Sequence, residues 1–110
     1  MPSTFRMTYP TAMVLQALAA GHRYGFEIAD VVGLRPGSVY QVLRRLEDRG
    51  FVEGAWEDAD RAHAEGRPPR RYYELDPVRS RPELERARSR FPTLDAVPDT
   101  GSGASGGSPA

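Results

Sequence analysis

The stretch from Leu34 to Val52, LRPGSVYQVLRRLEDRGFV, constrains the chain more than any other. Val39, Val42, Leu43 and Leu46 recur at i, i+3, i+4 and i+7, which lines them up as one buried stripe of a helix. Pro36 suits the first turn, where its missing N–H has no intrahelical partner to lose. Gly50 stops the helix, and Arg49 beside it faces the negative end of the helix dipole. Ser38, Tyr40, Gln41, Arg44 and Arg45 fall on the other side. One side is suited to a core, the other to an anionic surface.

The flanking segments tell what this helix belongs to. Thr8 can cap a first helix with Pro10 in its opening turn. That helix, TYPTAMVLQALAAG, carries Met13, Val14, Ala17 and Leu18 at helical spacing and ends at Gly21. It is apolar nearly all round, which predicts burial on two sides; a partner subunit or the domain's own core would satisfy the second. HRYGFEIADVVG predicts a shorter helix with Tyr24, Ile28, Val31 and Val32 inward and Gly33 closing it. Only Gly33, Leu34 and Arg35 then precede the next helix. A tight, glycine-bearing turn of this kind is a helix-turn-helix signature, with Leu34 plugging the angle.

After Gly50 the period changes. FVEGAWE and RRYYELD read as strands, the second with Arg71, Tyr73 and Leu75 on one face and Arg70, Tyr72 and Glu74 on the other. DADRAHAEGRPP between them reads as a long loop. Helix, helix, helix, strand, loop, strand is the order of a winged helix-turn-helix: a mainly α fold with a small β-hairpin. PELERARSRF predicts a final helix of under three turns, with Leu84, Ala87, Arg88 and Phe91 on one face, too short to persist undocked. The expected organisation is an N-terminal arm over 1–8, one domain over 9–91, and a disordered Gly/Ser-rich tail over 92–110.

Composition narrows the chemistry. Fifteen acidic side chains balance fifteen arginines and there is no lysine, so a basic surface can arise only by clustering. Arginine's planar fork suits phosphates and guanine edges, although biased genomic base composition would enrich it equally. The absence of cysteine excludes disulfides, thiolate metal sites and a cysteine nucleophile. No apolar run is long enough to span a bilayer, and the first residues carry no secretory pattern, so a cytoplasmic location is expected. His22 and His63 stand at no spacing that suggests a triad or a metal site, and no enzyme, metal or cofactor is expected.

The polar side of the third helix is the first candidate site. Helix-turn-helix proteins lay the second motif helix in the major groove of DNA. Gln41 could pair with adenine, Arg44 or Arg45 with guanine, and Ser38 or Tyr40 with phosphates, aided by free N–H groups near Pro36. The competing reading pairs Arg44 and Arg45 with Glu47 and Asp48. The hairpin is the second candidate. Arg61, Arg67, Arg70 and Arg71 face a single Glu65, and Pro68-Pro69 should hold the loop extended along phosphates or a narrow minor groove. Against that, Glu53, Glu57, Asp58 and Asp60 could offset the charge of a merely flexible loop. Trp56, Tyr72 and Tyr73 could stack on bases or a flat ligand, but packing on the helices is the commoner use.

GSVYQVLRRLEDRGFV, the following Trp56, GRPPRRYYEL and the earlier YGFEI together closely resemble the PadR family of bacterial transcription regulators, over roughly Met13 to Leu75. The resemblance implies a homodimer that binds a palindromic double-stranded DNA operator, usually as a repressor relieved by a small-molecule effector or stress signal. By position, Ser38, Tyr40, Arg44 and Arg45 match the family's recognition helix, and Arg67, Arg70 and Arg71 its wing. Gln41 stands where the family commonly has proline, and the turn before the helix is short. The family's long C-terminal dimerisation helix is here reduced, so dimer contacts are expected from the first helix, the 1–7 arm and the final helix, with Tyr9, Met13, Leu84 and Phe91 as candidates. A rival from another class is a winged-helix protein-interaction module, because fold does not fix function.

Overall fold

A computed structural model describes residues 5–93. Helix α1 (Tyr9–Ala19) is at its centre. Thr8 caps it, its Oγ1 accepting the Thr11 N–H at 3.3 Å, with Pro10 in the first turn. Thr11 to Leu18 are all buried. Such an all-round apolar helix needs cover on every side, and the chain itself supplies it: α2, α3, β2 and α5 all pack on α1. The second buried side is therefore covered within one chain, Met13 included, which is wholly inaccessible.

Helix α2 (Gly25–Val32) begins three residues into the predicted HRYGFEIADVVG segment, with Tyr24 as its cap rather than an inward helical residue. Ile28, Ala29 and Val32 reach the core. Gly33 closes the helix at φ 73°, a left-handed conformation that glycine adopts without penalty. The turn then leads into α3 (Pro36–Asp48), whose Val39, Val42, Leu43 and Leu46 are buried as their spacing predicts. Gly50 at φ 79° reverses the chain, with the Phe51 N–H donating to Leu46 O at 3.0 Å.

The hairpin pairs β1 (Val52–Trp56) antiparallel with β2 (Arg71–Leu75), Val52 opposite Leu75, Gly54 opposite Tyr73 and Trp56 opposite Arg71. Val52 and Tyr73 point into the core. The hairpin is anchored on its other edge too: the Tyr73 N–H donates to Arg23 O at 2.9 Å, and Tyr24 bridges to Tyr72. The wing is thereby tied to the connection between α1 and α2.

Three expectations are corrected. The connection between the strands is not an extended loop but holds a helix, α4 (Ala59–Ala64), which includes His63. Asp58 caps it by accepting the Asp60 N–H at 3.0 Å, Ala62 is fully buried, and Gly66 ends it at φ 73°. Alanine-rich sequence after an Asp cap was the available signal; Gly66 and the prolines masked it. The arm, as far as it is described, is not a free extension: Phe5 and Met7 are buried, with the Phe5 ring edge-on to Phe51 at 5.3 Å. Finally, α5 (Arg81–Arg90) docks on α1 through Ala87 with Leu84 and Phe91 half-buried, while Arg88 stays in solvent. The expected tail beyond Thr93 lies outside the described residues. Among those described, no helix is long and apolar enough to cross a membrane.

Leu43 is fully enclosed where α3 meets the core. Leu43→Ala should lower unfolding stability by about 2–5 kcal/mol in a urea titration.

Candidate nucleic-acid interface

With its stripe locked into the core, α3 exposes Ser38, Tyr40, Gln41, Arg44 and Arg45 together, as the spacing predicts. Its neighbours divide that surface. Arg45 leans toward α1, its Nη2 donating to Thr11 Oγ1 at 3.3 Å. Tyr40 leans the other way, edge-on to the Phe26 ring of α2 at 5.9 Å. Gln41 and Arg44 lie between, in a shallow depression that Gly37, Tyr40 and Arg45 complete. Among the described residues Arg44 has no ion pair, and neither Arg44 nor Arg45 bonds Glu47, whose carboxylate is held by Arg71. The free N-terminal N–H groups of α3 lie beside this set, since no side chain caps the helix.

The seat of Tyr40 explains a glycine. A Cβ on Gly25 would collide with the tip of the Tyr40 ring, so the ring occupies space that any other residue there would force it to leave. The pattern YGF in the sequence is thus a contact between two helices, visible only once both are placed.

The hairpin arginines are far more engaged than their spacing suggests. Arg67 forks onto Glu57, at 2.5 and 2.8 Å, and also reaches Glu65 at 2.8 Å. Glu57, with a side chain only 8% exposed, further accepts the Arg70 N–H at 3.1 Å. Bidentate arginine–carboxylate geometry is among the stronger charged contacts. It secures the base of the wing, so Arg67 does not project into solvent. Arg71 donates to Glu47 at 2.7 Å and lies over the Trp56 ring at 5.5 Å. Arg70 stacks 4.2 Å above Tyr24, half exposed, its Nε 3.8 Å from Glu57. Of the three predicted wing cations it is the most open to solvent.

Aromatic placement also differs from expectation. Tyr73 is buried and Tyr72 meets Tyr24, but Trp56 is 65% and Phe26 69% exposed. With Tyr24, Tyr40 and Arg70 they line a cleft of 820 Å³ between α2, α3 and the hairpin. Local sequence could not reveal this, because alternation along a five-residue strand does not say which face lacks a neighbour. Glu47, which the sequence offered to Arg44 and Arg45, pairs with Arg71 instead; it is seven residues after Tyr40, on the same edge of α3.

The predicted dimer residues separate likewise. Tyr9 is 39% exposed and edge-on to Phe91 at 6.1 Å, Leu84 is half-buried beside Leu18 and Ala19 at the other end of α1, and Met13 belongs to the core.

The Arg67 hydrogen bond, above all, holds the Glu57 carboxyl at about 2 rather than 4.5; burial opposes this and the Arg70 N–H assists it. A carboxyl depressed in the folded state adds stability above its unfolded value and loses it as the pH falls toward the folded one. Hairpin stability should therefore decline between pH 4.5 and about 2. Glu57→Gln should remove that component, as read from thermal unfolding across an acid series.

The transcriptional regulator PadR-like family matches residues 14–78, from within α1 to just past β2. Among solved structures, a PadR family transcription regulator from Clostridium difficile superposes with a TM-score of 0.62 at 23% identity, covering 74% of this chain and 85% of that one. Pex from Synechococcus gives 0.56 at 26% identity, over 80% of this chain and 86% of its own. ZitR of Lactococcus lactis, solved in complex with DNA, gives 0.57 at 16% identity over 79% of this chain; this chain spans 54% of ZitR. None of the curated proteins matches the chain. The two structures of lower identity speak to the fold alone. The family match covers more than half of the sequence and takes in α2, α3 and both wing strands, so this chain belongs to the PadR-like family of transcriptional regulators and has its winged helix-turn-helix fold.

Proposed function

We propose that the chain binds duplex DNA as a transcriptional regulator, laying α3 in the major groove and the hairpin on the adjacent backbone. One observation carries this reading: a helix fixed by its own core stripe turns Ser38, Gln41, Arg44 and Arg45 outward together, with Arg44 unpaired among the described residues. An outward arginine without a carboxylate partner keeps its fork available for guanine O6 and N7, and Gln41 can pair with adenine. Ser38 and Tyr40 are placed for phosphate oxygens and Arg45 for either phosphate or base. From the wing, Arg70 supplies the backbone contact. Arg67 and Arg71 act first on the shape of the surface, because their charges are already shared with Glu57 and Glu47.

The finer parts of the reading are a homodimer, a palindromic operator and repression. A two-fold pair would set two α3 helices about 34–36 Å apart or a multiple of that, so that the operator mirrors the symmetry. Tyr9, Leu84 and Phe91, along the junction of α1 with α5, are the surface for that pairing; Met13 is not. A small-molecule effector would find room in the aromatic cleft beside Tyr40. A protein partner is the second reading, favoured by the exposed Phe26 and Trp56 in a chain of zero net charge.

Gel-shift titrations at two salt concentrations separate the readings, since phosphate contacts release counterions and affinity must fall as salt rises. Arg44→Ala should cost about 1–3 kcal/mol on the operator and relax preference at one base pair, whereas Arg70→Ala should weaken all sequences alike and lower the salt slope by about one. Operator binding that survives an Arg44/Arg45 double substitution rules out the major-groove assignment. Analytical ultracentrifugation of the full chain and of Phe91→Arg tests the dimer: the substitution should shift it to monomer.

A further inference from the structure

The DNA-binding reading leaves open what sets the angle between α3 and the hairpin. We propose that Glu47 and Arg71 form a brace between the reading helix and the wing, so that Arg71 is a positioning residue and not a phosphate contact. The inference rests on the function proposed above.

Arg71 is engaged by a carboxylate and two rings. Its Nη2 donates to Glu47 Oε2 at 2.7 Å, and its guanidinium lies 5.5 Å from the Trp56 ring and 5.8 Å from the Tyr73 ring. One link therefore touches the last turns of α3, both strands, and the exposed indole at the end of β1. Both charged side chains are only about one-third exposed, which limits screening. Gly54 on β1 leaves the room: a Cβ there would fall 2.7 Å from Arg71 Nη2 and 2.9 Å from Glu47 Oε2, so the pair lies flat on the strand backbone. The other edge of the hairpin is held by backbone bonds to Arg23 and Tyr24. With that edge fixed, this link is what determines how closely β1 and Trp56 approach α3.

Charge makes the test decisive. Glu47 stands on the helix proposed to face DNA, and removing its negative charge would by field alone tighten binding. A brace predicts the opposite: Glu47→Gln should reduce discrimination between operator and unrelated DNA, by about two- to fivefold for a partly exposed pair. Gly54→Ala keeps both charges but displaces the pair, and should reduce discrimination in the same direction. Arg71→Gln should leave the salt slope of binding as in the wild type, where loss of a phosphate contact would lower it by about one. Trp56 is the chain's single tryptophan, so its emission reports the wing without any DNA present. It should change in both Glu47→Gln and Gly54→Ala, with circular dichroism confirming that each variant is folded.

Unchanged emission together with equal or tighter operator binding by Glu47→Gln overturns the brace. So does a salt slope reduced by about one in Arg71→Gln, since that is the signature of a phosphate contact. If the wild-type chain shows no salt-sensitive DNA binding, the functional reading fails, while the Trp56 emission of the two variants still upholds or overturns the brace.

Discussion

The burial of one stripe of α3 against α1 is the constraint on which the rest depends. Val39, Leu43 and Leu46 are wholly excluded from water and Val42 nearly so. Each such side chain is worth roughly 1.5–3 kcal/mol of transfer free energy, so the helix cannot rotate about its axis without losing several of them. A helix locked in rotation presents a fixed opposite face, and that is what turns Ser38, Gln41, Arg44 and Arg45 from a composition into a surface. What that surface presents is a consequence of core packing one layer below.

α1 is the other half of that constraint. A helix of eight consecutive buried residues would be insoluble by itself, and four neighbouring elements are needed to cover it. This accounts for α5, an otherwise marginal helix of ten residues that packs on α1. Sequestering α1 so completely leaves its two ends exposed, Tyr9 at one and Ala19 at the other.

The wing solves a different problem, that of charge. In a chain with no net charge, every arginine has an acid that could quench it. The fold assigns the acids selectively: Glu57 and Glu65 take Arg67, Glu47 takes Arg71, and Glu74 takes Arg23, while Arg44 is left without an ion pair among the described residues. Pairs of this sort contribute little to stability when solvated and more when shielded, so their main effect is on geometry and on where positive potential survives.

The three helices, the hairpin, their order and the five outward residues of α3 were legible in the sequence, because each follows from a local period or a local stop signal. Gly33 and Gly50 follow the periodic residues of their helices and mark the stops, and an i, i+3, i+4, i+7 pattern names its own buried side. The exposure of Trp56, the close approach of side chains to Gly25 and Gly54, and the pairing of Arg67 and Arg71 were not legible. Each depends on an atom far along the chain: the Tyr40 ring over Gly25, the Glu47 carboxylate over Gly54, Glu57 ten residues before Arg67. Periodicity reports which side of an element seeks cover but carries no information about what arrives to provide it. Local pattern alone gives the elements and the outward side of α3. Which arginines stay unpaired follows only from the fold, because it depends on carboxylates brought close by folding.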